Sequence, residues 1–354
     1  MTRRRTALIA GGVAAGAIAA GAVGRTVLRR RVDHELEGPL LDLPPEDLGP
    51  VRSHDGTELA VRAAGDASAP VLLFVHGFSL DMTTWREQWV DLSVDHRCVL
   101  MDLRGHGASE SPADGDLSVW SMGRDVAAVV EAVAPHGRVV IVGHSMGAIA
   151  ALAMAEVRPD LMASSVAGLV LVGTSASELV RGAMGSITDL VRPRLGSLRS
   201  AAQRVDRLRK AVLASPTDLR GAVVRLTQFG PEAPRHIVEH VVRLAERASS
   251  ELWTEGLAGL LETDLRHVLP RIRVPALVVV GEHDRVTPPA SAVELAGALP
   301  DGRFVLLEGA GHIAMMERPV ELDREIRTFS RSVLSGGHPP RPRRRAASKK
   351  RGAA

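Results

Sequence analysis

Residues 139–156 read VVIVGHSMGAIAALAMAE, with one serine, Ser145, set between Gly143 and Gly147. The β-branched run before it predicts a strand and the alanine-rich stretch after it a helix. A chain that must turn from strand to helix with so little room holds the serine in a strained conformation and aims its hydroxyl out of the sheet edge. Glycine is needed on both sides, because a Cβ at either place would meet the neighbouring helix or strand. The amino end of the helix supplies free N–H groups and the positive end of its dipole, both suited to developing negative charge. The chemistry predicted is nucleophilic attack, with half of an oxyanion hole beside the nucleophile. A serine hydroxyl is a poor nucleophile at neutral pH, so a base must come from elsewhere in the chain.

Two later loops can supply it. The apolar run Ala276–Val280 ends in Gly281-Glu282-His283-Asp284, and Phe304–Leu307 ends in Glu308-Gly309-Ala310-Gly311-His312. An acid after one strand and a histidine after the next give the order Ser, acid, His. Glu282 and Asp284 share the first loop, and Glu178 follows the earlier run that ends at Val172.

Other chemistries find less support. Thirteen histidines are present, and His76, His106, His144 and His283 sit in loops at strand ends. No H-E-x-x-H or Cys/His spacing accompanies them, so they are read as loop-shaping residues and no metal is expected. Residues 309–314 (GAGHIA) fit the G-x-G-x-x-A dinucleotide pattern, but only one helical segment and the basic tail follow. The second strand and the acid that such a unit needs are missing, and no cofactor is expected. The one cysteine, Cys98, lies inside an apolar run and reads as a buried thiol; it permits no disulfide within the chain.

The elements that must position these residues alternate along the chain. Val71–Val75, Arg97–Met101, Val139–Val142, Gly168–Val172, Ala276–Val280 and Phe304–Leu307 read as buried parallel strands. Helical segments such as Ser121–Val133 and Ala148–Glu156 lie between most of them. The class predicted is α/β, with a mostly parallel sheet covered by helices on both faces. Residues 51–63 read as an antiparallel hairpin turning at Asp55-Gly56. From 176 to 268 no strand-like run occurs. Leu198, Val205, Leu208 and Val212 are spaced for one helix face, as are Ile237, Val241, Leu244 and Ala248, and Pro193, Pro216, Pro231 and Pro234 cut the region into short helices. The organisation expected is a basic-flanked apolar leader (1–31), a connector (32–50), a core (51–175 and 269–334), a helical cap (176–268) and a disordered basic tail (335–354).

These motifs in this order resemble the α/β-hydrolase superfamily, and within it a serine esterase or lipase-like member with a helical cap. LFVHGF (73–78) is similar to that family's oxyanion strand and loop, DLRGHGAS (102–109) to its next strand end, GHSMG to its nucleophile elbow, and GEHD and GAGH to its acid and base loops. The resemblance covers roughly residues 50–330 and is weakest in the cap. It implies an eight-stranded-type sheet with the cap inserted after the sixth strand. It also implies Ser145 as nucleophile, His312 as base, Asp284 as the orienting acid, and the backbone N–H groups of Phe78 and Met146 as the oxyanion hole. The function implied is cleavage of carboxylic esters through an acyl-enzyme, on a small ester or acyl substrate with an apolar part. Cofactor-free perhydrolysis or haloperoxidase activity, C–C bond hydrolysis, and ligand binding without catalysis stand as alternatives. Members acting on haloalkanes or epoxides carry aspartate at the elbow, and this chain has serine there.

Charge is unevenly placed. The net charge is +3, yet residues 1–31 and 335–354 together hold fourteen of the 44 basic residues and no acid. The stretch between them has 30 basic against 41 acidic residues, so the high isoelectric point belongs to the two ends. Aromatic residues make up 3% and tyrosine is absent, which argues against a base-stacking platform and specific nucleic-acid binding. Thr6–Gly24 carries no charge and is flanked by arginines. As a helix it would span about 28 Å, near the ~30 Å hydrocarbon thickness. Residues 6–24 are therefore read as a membrane anchor. An export signal (Arg4-Arg5-Thr6-Ala7-Leu8 resembles a twin-arginine pattern) and a soluble extension of a cytoplasmic protein are the alternatives. Oligomeric state is not legible in the sequence.

Overall fold

The computed structural model describes residues 42–135, 137–176, 198–214 and 217–335. The expected leader, the connector before residue 42, Glu178, Pro193, Pro216 and the tail from 336 lie outside the described residues.

The strands in chain order are β1 (Glu46–Asp47), β2 (Val51–Arg52), β3 (Glu58–Leu59), β4 (Val61–Ala64), β5 (Val71–Val75), β6 (Arg97–Met101), β7 (Val139–His144), β8 (Val166–Val172), β9 (Ala276–Gly281) and β10 (Gly302–Leu307). Eight of them form one sheet in the order β1-β4-β6-β5-β7-β8-β9-β10. β4 pairs antiparallel with β1 and with β6, and every other pairing is parallel. All six apolar runs are strands of this sheet; the five interior ones are buried on both faces, whereas β10 is a half-buried edge strand with Leu306 exposed. The hairpin expected over 51–63 is shorter: β2 and β3 pair only as far as Leu59, and β4 leaves to join the main sheet. β1 falls in the expected connector.

Helices α1 (Arg86–Leu92), α2 (Val119–Val133), α3 (Met146–Val157) and α4 (Pro159–Ser165) connect the first strands. Between β8 and β9 come α5 (Leu198–Leu213), α6 (Thr217–Gln228), α7 (Arg235–Arg247), a π-helical turn (Leu252–Gly256) and α8 (Leu257–Glu262). Then follow α9 (Pro289–Ala298), α10 (Ala314–Glu317) and α11 (Pro319–Leu334). β8 is the sixth strand of the main sheet in chain order, so the helical stretch is inserted there.

Alternate residues of each strand enter different cores. Leu73, Val75, Val139 and Ile141 pack with α2, α3 and α9 on one face. Leu72, Phe74, Val140 and Val142 pack with α1, α11 and α7 on the other. In the insertion, α7 buries Ile237, Val241 and Leu244 as their spacing predicts. α5 differs from expectation. Leu208 is exposed and Asp206 is buried, because Asp206 accepts from Arg209 at 2.7 Å and lies 2.8 Å from Lys210 Nζ.

The expected membrane anchor is corrected. No helix among the described residues is long and apolar enough to cross a membrane. The longest, α5 and α11, have 16 residues each and carry several charged side chains, whereas a span needs about 20 mostly apolar residues. Residues 6–24, on which the reading rested, lie outside the described residues, and the membrane reading is withdrawn.

The sheet order places the site. From β5 the chain moves outward to β6, then returns to the other side of β5 for β7. Strand order reverses there, so a crevice opens at the carboxyl ends of β5 and β7, where open α/β sheets bind ligands. Val75 at the end of β5 pairs in register with Gly143 of β7, so the loops carrying Phe78 and Ser145 leave the sheet side by side.

Candidate active site

Ser145 lies between β7 and α3 with φ 49° and ψ −113°. A non-glycine residue there stores strain of about 1–3 kcal/mol. Backbone bonds on both sides impose it. Ser145 N donates to Val172 O at 2.9 Å, and Ser145 O accepts from Ile149 N at 3.1 Å and Thr174 Oγ1 at 3.1 Å. The flanking glycines permit the turn by close approach. A Cβ on Gly143 would lie 2.6 Å from Ala148 Cα, and one on Gly147 would overlap the carbonyl oxygens of Val75 and His76. The elbow is therefore wedged between its own helix and β5.

Asp284 and His312 meet across two loops. His312 Nδ1 donates to Asp284 Oδ2 at 2.9 Å. Thr287 Oγ1 donates to the same oxygen at 2.8 Å, and the amides of Val286 and Thr287 donate to Oδ1 at 2.8 Å each. Burial pushes the Asp284 carboxyl up, but the charge and hydrogen bond of His312 and the Thr287 bonds outweigh it and hold the pKa below the usual range. A carboxylate so held fixes the imidazole with its proton on Nδ1, which leaves Nε2 free to accept one. Glu282 is exposed and accepts from Gly309 N at 3.0 Å, so it shapes the base loop and does not meet the imidazole.

His144, next to Ser145, ties the elbow to the His312 loop: its Nε2 donates to His312 O at 3.0 Å, and the two rings lie 4.8 Å apart. No direct hydrogen bond joins Ser145 Oγ to His312 among the described contacts; catalytic bonds of this kind often tighten only around substrate. The Phe78 and Met146 amides have no acceptor among the described residues. Met146 is the first residue of α3, where an N–H lacks an intrahelical partner. A Cβ on Gly77, the residue before Phe78, would come 3.3 Å from Ser145 Cβ. That approach brings the loop against Ser145.

The other motif histidines brace the loops. His76 Nδ1 donates to Gly77 O at 2.8 Å and its Nε2 accepts from Leu103 N at 3.0 Å. His106 Nδ1 donates to Arg104 O at 2.9 Å and its Nε2 accepts from Ser79 N at 3.2 Å. Burial pushes His76 down to about 4, and His106 and His144 down to about 3, so all three are neutral at pH 7. His283 is exposed.

The insertion meets the site at Phe78, whose ring stands edge-on to Trp253 with centroids 4.8 Å apart. Arg209 lies over the Trp253 ring at 5.2 Å. Beyond Phe78 a cavity of about 430 Å³ is lined by Ser79, Met82, His106, Leu244, Ala248 and Leu252 among others.

A second Asp-His-Ser arrangement shows what such geometry lacks on its own. His96 Nδ1 lies 3.1 Å from Asp95 Oδ1, and its Nε2 lies 2.9 Å from Ser330 Oγ. Ser330 is fully buried inside α11, where amides are tied into the helix and offer nothing to an oxyanion. This cluster latches α11 to the loop before β6.

The sequence gives no signal for Thr287, which holds Asp284, or for Glu317, a buried carboxylate in the short helix directly after His312. Thr287 follows Asp284 by three residues, a spacing common to many turns, and Glu317 carries no motif.

The family model described as the alpha/beta hydrolase fold matches residues 70–319. The chain is 28% identical over 295 residues to a protein named non-heme chloroperoxidase from Streptomyces lividans, covering 80% of this chain and 100% of that one. Among solved structures, a thermophilic esterase from Thermogutta terrifontis is similar with TM-score 0.65 and 25% identity, covering 82% of this chain and 99% of the other. An enol-lactonase from Burkholderia xenovorans is similar with TM-score 0.62 and 25% identity, covering 78% and 97%.

Proposed function

The chain belongs to the α/β-hydrolase family, and within that family we propose that it is a serine hydrolase that cleaves carboxylic esters through an acyl-enzyme. The observation that carries this reading is the 2.9 Å bond from His312 to Asp284 beside a serine held at φ 49° on the amino end of α3. Ser145 Oγ attacks the ester carbonyl as His312 Nε2 takes its proton. Asp284 keeps the ring in the required tautomer and stabilises its charged form. The tetrahedral oxyanion accepts from the Phe78 and Met146 amides, each worth about 3–4 kcal/mol in the transition state. His312 then returns the proton to the departing alcohol. Water, activated by the same imidazole, releases the acid.

The substrate's apolar part packs under the insertion, against Phe78, Trp253 and Leu252. The similar structures of an esterase and an enol-lactonase support ester-like substrates. The test is turnover of p-nitrophenyl esters of graded acyl length by the purified chain and by S145A. An initial burst of nitrophenol stoichiometric with enzyme, absent in S145A, is the expected signature of the acyl-enzyme.

A second reading keeps the acyl-enzyme and changes its acceptor. The relative named non-heme chloroperoxidase favours it: hydrogen peroxide in place of water would attack the acyl group and release a peracid. Peracid formation that exceeds acid formation at millimolar peroxide would select this reading.

A further inference from the structure

We propose that Glu317 is a positioning residue that clamps the helical insertion to the His312 loop, so that the imidazole is held in place only while the insertion is docked. The proposal rests on the catalytic reading of His312 given above.

Glu317 closes α10, the short helix directly after His312 and Ile313. Its two carboxylate oxygens hold two separate segments. Oε1 accepts from Gly311 N at 2.8 Å and Oε2 from Gly230 N at 2.7 Å. Gly311 precedes His312, and Gly230 belongs to the insertion just after α6. A return bond crosses the same seam: His312 N donates to Gln228 O at 2.7 Å, and Ile313 N approaches that oxygen at 3.3 Å. Residues 312 and 313 thus donate to Gln228 O across the seam, and Glu317 accepts from the amides of Gly230 and Gly311 on its two sides.

The two backbones touch. A Cβ on Gly230 would overlap Gly309 O, and one on Gly311 would overlap the Phe229 carbonyl carbon. With no side chain between them, the spacing of insertion and base loop is set by the carboxylate that takes both amides. An ionised carboxylate is acceptor-only and has two oxygens for the task. A glutamine offers one oxygen and one NH2, so one amide would always face a donor.

Charged neighbours surround the clamp. Arg318, beside it in the chain, draws its pKa down, and Asp284 from the acid loop pushes it up. Arg318 also reaches Glu232 of the insertion at 3.8 Å, Glu282 holds Gly309 N, and Arg285 donates to Leu226 O. Burial is the largest influence and pushes Glu317 up to about 7. Protonation puts a hydroxyl in place of one acceptor, so the clamp is complete above about pH 7 and loses one bond below it. Stability runs the other way. The native state holds this proton more tightly than the unfolded chain, so stability falls as pH rises from the ordinary 4.5 through about 7.

Hydrogen exchange on the full chain between pH 5.5 and 8.5, corrected for intrinsic rates, reads the clamp without substrate. Segments 226–231 and 309–314 are expected to lose protection together as pH rises through about 7, because undocking exposes a carboxylate whose docked pKa is raised, and E317Q is expected to remove that pH dependence in both. With an ester that the wild type turns over, E317Q is expected to lower kcat about 10- to 100-fold, the scale of a misplaced catalytic group, with KM changed less than about threefold. Its acid limb should also lose one ionisation. Segments that exchange independently of each other and of pH, or an E317Q enzyme with wild-type kcat and protection, would overturn the proposal. Should E317Q fail to fold, the wild-type pH series decides alone. A wild type without Ser145-dependent turnover would remove the catalytic reading only, because the exchange measurement still decides the clamp.

Discussion

Asp284 accepts from His312 Nδ1 at 2.9 Å while two backbone amides and the Thr287 hydroxyl hold its remaining acceptor sites. The carboxylate is thus fixed by its own loop before it meets the imidazole. D284N should keep the loop in shape but favour the wrong imidazole tautomer. It is expected to cost about 10⁴ in kcat with little change in KM. The stability sign follows from a lowered native pKa. The carboxylate's contribution is fully present above the ordinary value of 3.8 and is lost as pH falls through its lower native value. Unfolding by denaturant at several pH values should therefore show the wild type's advantage over D284N shrinking below about pH 3.8.

Gly147 is held against β5, where a Cβ would overlap Val75 O and His76 O. Neither oxygen can move without breaking the strand end that carries Gly77 and Phe78. G147A should destabilise the protein by about 1–3 kcal/mol, the scale of overpacking, and should reduce turnover more than a substitution of equal cost elsewhere. Thermal unfolding and ester kinetics on one preparation check both parts.

Arg104 is fully buried and binds Asp125 through two bonds of 2.6 Å, with a third to Asp55 at 2.7 Å. This ties the β2–β3 hairpin to α2. R104M leaves Asp125 uncompensated and should cost about 3–5 kcal/mol. Adding D125L should restore much of that loss, since replacing both members of a buried pair is often near neutral. Urea midpoints of the wild type, the single and the double variant measure it.

The sequence made the sheet and the order of its loops readable, because parallel strands covered on both faces are unbroken apolar runs. β1 was invisible for the opposite reason. Glu46-Asp47 is a polar two-residue edge, and only pairing with β4 makes it a strand. The face of α5 was misread at Leu208 because periodicity cannot foresee that Asp206, ringed by Arg209 and Lys210, would be buried in its stead. At the site, strand-end position marked Ser145, His312 and the loop shared by Glu282 and Asp284, and the family resemblance singled out Asp284, which lies 2.9 Å from the His312 ring. Glu317 was not legible, since its partners are two backbone amides, which no side-chain pattern reveals. The leader gave a readable pattern but no described structure, and its membrane reading did not survive.

Trp253 of the insertion meets Phe78 edge-on. W253A removes a ring worth about 0.5–1.5 kcal/mol in aromatic pairing alone and opens the wall beside the proposed substrate. Preference should move toward bulkier esters, with KM for short esters raised and kcat changed less. An unchanged ranking of kcat/KM across the ester series would place the pocket elsewhere.

Ser145 is the proposed nucleophile, and a fluorophosphonate probe tests that role most directly. Intact-mass and peptide mass spectrometry of the labelled full chain should find one adduct, on the peptide that contains Gly143–Gly147, at Ser145. The adduct should vanish in S145A while thermal unfolding stays within a few degrees of wild type. Labelling that persists in S145A, or that falls on another serine, would contradict the account.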